Sequence, residues 1–288
     1  MTRTRMRHRG NWSVRFSAAG CFCVLFSGAL VLAACAPGFQ IKRYRSNSDL
    51  YEATLKQFER RKWDNAIQGF ERLTLDLSAR DTLLSRSHWY LATAHERRGE
   101  HLLAAASFLR LAELFPDDTL ADDAILAAAD AYAQLWKSPG LDPNYGSLAQ
   151  MQYRLLVSIY PDSPLRPKAE QGALAIEEML ATKEYEIGVY YTKRRAWDSA
   201  IISFKFVVKE YPNTQKVRDA LLRMVEVYRR RELNYVEEAA ETCSTLRLAY
   251  PADPEVVRMC PSIAVSTADS AAKAAVRTPP KPKPKPLP

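Results

Sequence analysis

Arg98-Gly99-Glu100-His101-Leu102-Leu103-Ala104-Ala105-Ala106-Ser107-Phe108, running on through Leu111 to Phe115-Pro116, decides the fold of this chain. A turn built on glycine and polar residues leads to a small residue, Ala104. Phe108 follows four residues later and Pro116 eight after that. Four residues is about one helical turn, so Ala104 and Phe108 share a face. Alanine lets a neighbouring helix come close, the ring fills the space beside it, and proline lacks the N–H that would carry the helix on. The stretch is the second half of a helix–turn–helix unit. Such a unit cannot bury its apolar face alone and must stack on copies of itself.

The copies are present. Ala149, Tyr153 and Pro161 keep the same offsets, as do Ala200, Phe204 and Pro212. Ala239, Cys243 and Pro251 keep them with a cysteine in the aromatic slot, and Ala66 and Phe70 open a set in which Ser78 replaces the proline. An aromatic also recurs at the start of the second helix, as Trp63 and Trp197. Five sets in register resemble the tetratricopeptide repeat, whose period is about 34 residues. The predicted architecture is all-α, a solenoid of about five antiparallel helix pairs over residues 48–262. The repeats fall at 48–78, 82–116, 120–161, 164–212 and 214–251. The third is lengthened by Ser138-Pro139-Gly140-Leu141-Asp142-Pro143-Asn144, read as a loop from its Pro and Gly. The fourth has a long first helix, from 165 to about 192. Acidic and hydroxyl residues after Pro116, Pro161 and Pro212 are placed to cap the next helix.

Both ends of the chain differ from this body. Residues 1–34 hold five arginines and no acid, then an apolar run ending Leu32-Ala33-Ala34-Cys35, the layout of an export signal. The ending resembles the bacterial lipobox. Cys35 is then the first mature residue and carries diacylglycerol and N-acyl lipid, with 35–47 as a tether; the apolar run is about the minimum spanning length, so a transmembrane helix is the alternative. Ala36, where inner-membrane retention typically uses Asp, points by resemblance to the outer membrane. From 263 the chain is Ala-rich and ends in alternating Lys and Pro, composition that predicts a disordered tail, with polyproline II character in the Lys-Pro run. The formal charge of +8 comes from these ends. Removing their ten bases and one acid from totals of 41 and 33 leaves 31 and 32. A near-neutral body argues against a nucleic-acid partner.

Chemistry is hard to find. His88 and His95 lie seven apart on one helix, without the i, i+4 spacing or further ligand of a helical zinc site, and are expected to line a groove or face solvent. There is no phosphate-binding glycine loop and no nucleophile elbow. The acid pairs Asp117/Asp118, Asp122/Asp123, Glu177/Glu178 and Glu237/Glu238 read as solvated caps and faces. The chain is not expected to be an enzyme, or to hold a metal or any cofactor beyond the lipid on Cys35. Cys243 and Cys260 would sit in an oxidising compartment. A bridge between them is one reading; a buried free thiol at Cys243, in the packed aromatic slot, is the simpler one. Aligning the first helices of repeats one and two places Tyr51, Phe58, Trp89, Thr93, Glu96 and Arg97 toward a concave surface, aromatics beside charges as suits an extended amphipathic peptide. Tyr51 and Trp89 read equally well as core between repeats.

Lys183-Glu184-Tyr185, Tyr190 through Trp197, Tyr211-Pro212-Asn213-Thr214-Gln215 and Arg218-Asp219-Ala220-Leu221 are similar to the BamD family, lipoproteins of the outer-membrane β-barrel assembly machine. Leu50-Tyr51 and Trp63-Asp64-Asn65-Ala66-Ile67 are similar to that family's first repeat. Arg61 and Lys62 depart from it, standing where Gly and Asn are usual, and Ser78 lacks the usual proline. The resemblance implies a lipid-anchored protein on the periplasmic face of the outer membrane. It implies docking of the later repeats on the periplasmic POTRA region of BamA and, in the groove of the early repeats, reception of the C-terminal targeting strand of unfolded outer-membrane proteins. Other assembly-machine lipoproteins are implied as further partners. A different repeat lipoprotein, pilotin-like or cell-wall coordinating, is the alternative.

Overall fold

The computed structural model describes residues 38–261. The expected export signal, Cys35 and the Lys-Pro tail lie outside the described residues. After a 3-10 turn at Ile41–Arg43, eleven α-helices follow among the described residues: α1 (Asn47–Glu59), α2 (Trp63–Asp76), α3 (Thr82–Arg98), α4 (His101–Leu114), α5 (Ala121–Leu135), α6 (Asn144–Ile159), α7 (Arg166–Lys193), α8 (Trp197–Glu210), α9 (Lys216–Tyr228), α10 (Val236–Ala249) and α11 (Pro254–Met259). Packing runs mainly from each helix to the next, with lighter contact of α1 on α3, α5 on α7 and α7 on α9. This is the solenoid arrangement, five tetratricopeptide helix pairs closed by the short α11.

The small–aromatic register explains the stacking. Ala66, Ala104, Ala149 and Ala200 are fully buried, and Ala239 nearly so; Phe70, Phe108, Tyr153, Phe204 and Cys243 are buried beside them. The second helix of each pair stops two residues before Ser78, Pro116, Pro161, Pro212 and Pro251. The expected capping residues act slightly early. Asp118 Oδ1 accepts from the Leu120 amide at 3.0 Å and Ser163 Oγ from that of Leu165 at 3.1 Å, fixing the turn just before α5 and α7 rather than capping their first amides.

The core divides into three clusters along the array. One surrounds Phe70 and Leu73, the next Phe108, Trp136 and Leu156, and the third Phe204, Val225 and Leu246. The 28-residue α7 joins the last two: Ala169, Ile176 and Leu180 pack toward α6, and Ala181 onward toward α8. The inserted loop, residues 136–143, is held against this helix. Lys183 Nζ donates to the carbonyls of Pro139 and Leu141 at 3.2 and 2.9 Å. Asn144, assigned to the loop from sequence, is the first residue of α6.

The turns inside repeats one, two and four share a backbone device. Arg61, Gly99 and Arg195 all take positive φ, at 57°, 86° and 59°. In each, that residue's N–H bonds the carbonyl three back, and the following N–H bonds the carbonyl five back: Lys62 to Gln57 at 2.9 Å, Glu100 to His95 at 2.9 Å, Ala196 to Tyr191 at 3.0 Å. This is the Schellman ending, which satisfies carbonyls left without partners at the helix end and favours glycine. The departure at Arg61 therefore leaves the turn geometry intact, at the cost of a side chain in the left-handed region. Arg195 is exposed and its backbone already has the required shape. Arg195→Gly is expected to stabilise the protein by about 0.5–1 kcal/mol, read as a rise in the thermal midpoint; an unchanged midpoint would mean that the turn carries no strain.

Candidate functional site

Between the first two repeats lies a cleft of about 660 Å³. Phe58 on α1 and Trp89, Thr93 and Arg97 on α3 line it, four of the six residues that the sequence places on the concave surface. Positions 89, 93 and 97 are successive turns of one helix face, which is why α3 presents them together. Each ring of the aromatic wall packs on another ring. Phe58 meets Trp63 edge-on at 5.3 Å and Tyr90 at 5.1 Å, and Trp89 meets Phe108 at 5.2 Å. Such pairs lock ring orientations, so the wall is preformed rather than assembled by a ligand. Thr93 donates its hydroxyl to the Trp89 carbonyl at 2.8 Å and is already engaged.

The other two candidates sit elsewhere. Tyr51 is 7% exposed and packs edge-on against Phe70 and Tyr90 at 6.0 and 6.5 Å; burial pushes its hydroxyl pKa up. It is core. Glu96 is exposed but does not line the cleft. In their place the structure adds Glu59, Arg61, Trp63 and Tyr90. Trp63 carried a signal in sequence, as the aromatic recurring at the start of the second helix. The residues at 59 and 61 arrive because the Schellman turn brings the end of α1 over the cleft.

Both histidines face the protein interior instead of a groove or solvent. His95 Nδ1 is 2.8 Å from Glu100 Oε2 across the α3–α4 turn. His88 is buried near Phe115, and burial, then the charge of Arg110, holds its pKa below the ordinary 6.5. The unfolded chain therefore takes up this proton first. Stability from His88 is fully present above the ordinary value and is lost as pH falls below it toward the folded pKa. His88→Leu is expected to flatten the pH dependence of the thermal midpoint between about pH 7 and pH 5; an unchanged slope would contradict this. No metal-binding cluster of His, Cys, Asp or Glu occurs among the described residues. Among the acid pairs, Glu177/Glu178 differs from expectation: Glu177 is buried and held by Arg154 at 3.1 Å, and Glu178 accepts from the Gln215 amide at 2.8 Å.

At the other end of the array, Cys243 and Cys260 are bonded, with Cα atoms 5.3 Å apart, in place of the buried free thiol that was the simpler reading. The turn at residues 250–253 folds α11 back so that Cys260 reaches α10. Arg218 fastens the same corner, binding Asp253 at 2.6 and 3.0 Å and Glu255 at 2.8 Å. These bonds hold the Asp253 carboxyl well below the usual carboxylate range. A cleft of about 800 Å³ opens beside the disulfide. It is larger than the first, yet it lies where the last repeat has no successor among the described residues, and its lining has no comparable aromatic wall.

The sequence model of the family YfiO, described as outer membrane lipoprotein, matches residues 43–243. The chain is 26% identical over 209 residues to outer membrane protein assembly factor BamD of Caulobacter vibrioides, covering 71% of this chain and 66% of that one. It is 33% identical over 76 residues to the BamD of Haemophilus influenzae, covering 26% of this chain and 29% of that one. For the BamD of Vibrio cholerae the identity is 30% over 87 residues, covering 30% and 36%. The matches thus span less than two thirds of each relative's length. Among solved structures the P58(IPK) TPR domain is similar at a TM-score of 0.40 and 14% identity, covering 74% of this chain and 54% of that one. With its family match running from the 3-10 turn into α10, this chain belongs to the YfiO/BamD family of outer membrane lipoproteins.

Proposed function

We propose that this protein is the BamD component of an outer membrane β-barrel assembly machine, held by lipid on Cys35 at the periplasmic face of the outer membrane. Its early repeats receive the C-terminal strand of an unfolded client and its later repeats dock on the POTRA region of BamA. The observation that carries the reading is the cleft of the first two repeats. Its preformed aromatic wall offers apolar surface to alternate side chains of an extended peptide, while Arg61 and Arg97 offer charge to its backbone oxygens or carboxylates. No helix among the described residues is long and apolar enough to cross a membrane; in this reading the lipid on Cys35 supplies the attachment. The scaffold does no bond-making chemistry. It holds a client strand near the insertion machinery.

Affinity purification from detergent-solubilised outer membranes tests this. Recovery of BamA in stoichiometric amount is expected; recovery of a secretin without BamA would transfer the protein to the pilotin class. The anchor is tested separately. Cys35→Ser is expected to leave the protein soluble or unprocessed, and unchanged membrane fractionation after processing would contradict the lipid assignment.

A further inference from the structure

The segment just after the proposed anchor is part of the fold. Phe39, Ile41 and Tyr44 pack against the first-repeat core, with Phe39 and Tyr44 rings 5.8 Å apart. The 3-10 turn that spaces them is closed by bonds from the Arg43 amide to Gln40 at 3.1 Å and from the Tyr44 amide to Ile41 at 3.2 Å. Lys42, Arg43 and Arg45 consequently point away and are exposed. Lys42 and Arg45 rim a cleft of about 490 Å³ that also takes in Arg72 of α2, whose guanidinium already binds Asp76 at 2.6 Å. The three segment cations form no ion pair within the described residues.

Their place in the chain gives them a partner. Phe39 is four residues after Cys35, a reach of at most roughly 14 Å in extended chain. A lipid on Cys35 therefore leaves the first repeat little freedom to stand off the bilayer, and the cations fall close to the headgroup layer, where electrostatic attraction acts over about 8 Å in physiological salt. We propose that Lys42, Arg43 and Arg45 form a basic foot that binds anionic phospholipid headgroups and sets how the first repeat sits on the membrane. The setting rests on the assignment of lipid to Cys35; the binding itself does not.

The chain from Ala36 onward, made without lipid, is to be sedimented with vesicles of equal parts phosphatidylethanolamine and phosphatidylglycerol, and with phosphatidylcholine vesicles. Binding to the anionic vesicles alone is expected, released by high salt. Lys42→Glu/Arg43→Glu/Arg45→Glu should weaken it on the order of 100-fold, and more than Lys281→Glu/Lys283→Glu/Lys285→Glu in the tail. All three foot side chains are exposed, so the helical spectrum and thermal midpoint should hold; Lys42→Gln/Arg45→Gln gives an intermediate loss if the triple reversal fails to fold. Absence of binding by the parent chain, or a loss smaller than about tenfold in the foot variant, would overturn the proposal. Either result beside Cys35-dependent fractionation would remove the foot and leave the anchor standing.

Discussion

Phe204→Ala should lower the unfolding free energy by about 3–5 kcal/mol, the range for emptying a fully buried aromatic site. The ring has no exposed surface. It lies between α7 and α8, 5.6 Å from the Tyr185 ring, and a methyl carbon placed on Gly188 would come within 2.5 Å of its Cε1. The backbone of α7 comes this close only because residue 188 is glycine, so the neighbours are fitted to the ring and can relax little into the space it leaves. The form of the loss is informative too. In a stack of repeats each unit draws stability from its neighbours. Weakening the α7–α8 interface should let the third core cluster unfold ahead of the other two. Calorimetry is expected to show a broadened or split transition; a single transition with an unchanged midpoint would contradict the packing.

Trp136→Ala is expected to cost a similar amount, about 3–5 kcal/mol, by another route. Trp136 is 1% exposed and begins the loop that lengthens the third repeat. Its indole lies over Gly146, where any side chain would overlap the ring, and its Nε1 is 3.5 Å from the Leu141 carbonyl. The ring fills the space between the loop and α6, while Lys183 ties the loop's far side to α7. Without the ring, residues 136–143 lose their apolar hold and are tied to α7 by the two lysine bonds. Limited proteolysis should then cut within the loop at concentrations that leave the parent chain intact, with a lowered thermal midpoint beside it. A midpoint within a degree or so of the parent would show that the ring is not part of the core.

The repeat register was legible because each of its positions is fixed by local geometry: alanine for close approach, an aromatic one turn on, proline at the stop. The alanine and aromatic positions became the buried core from Ala66 to Cys243. The long α7 was legible for the same reason. What escaped depends on how one helix meets another. Aligning first helices alone put Tyr51 in the groove, because that alignment ignores α2, whose Phe70 packs over it. It missed Tyr90, which reaches the cleft by packing on Phe58 from the next repeat. His88 and His95 do share a side of α3, but periodicity cannot say whether solvent or α4 covers that side. The turn at Arg61 looked irregular in sequence, yet it obeys the hydrogen bonding of Gly99 and differs only in its side chain. The bridge from Cys243 to Cys260 needed the chain to reverse after α10, a geometry that residue spacing does not determine.

The cleft can be tested through its own fluorescence, since Trp63 and Trp89 both line it. A synthetic peptide matching the C-terminal strand of an outer-membrane β-barrel is to be titrated into the chain from Ala36 onward, with the same residues in scrambled order as control. Saturable change in tryptophan emission is expected for the native order. Trp89→Ala should weaken that binding by roughly 30-fold, the loss of about 2 kcal/mol associated with a buried aromatic anchor at an interface, while the thermal midpoint stays above the titration temperature. Equal affinity of the parent and Trp89→Ala chains, or equal affinity for native and scrambled peptides, would contradict the assignment of this cleft as the client site.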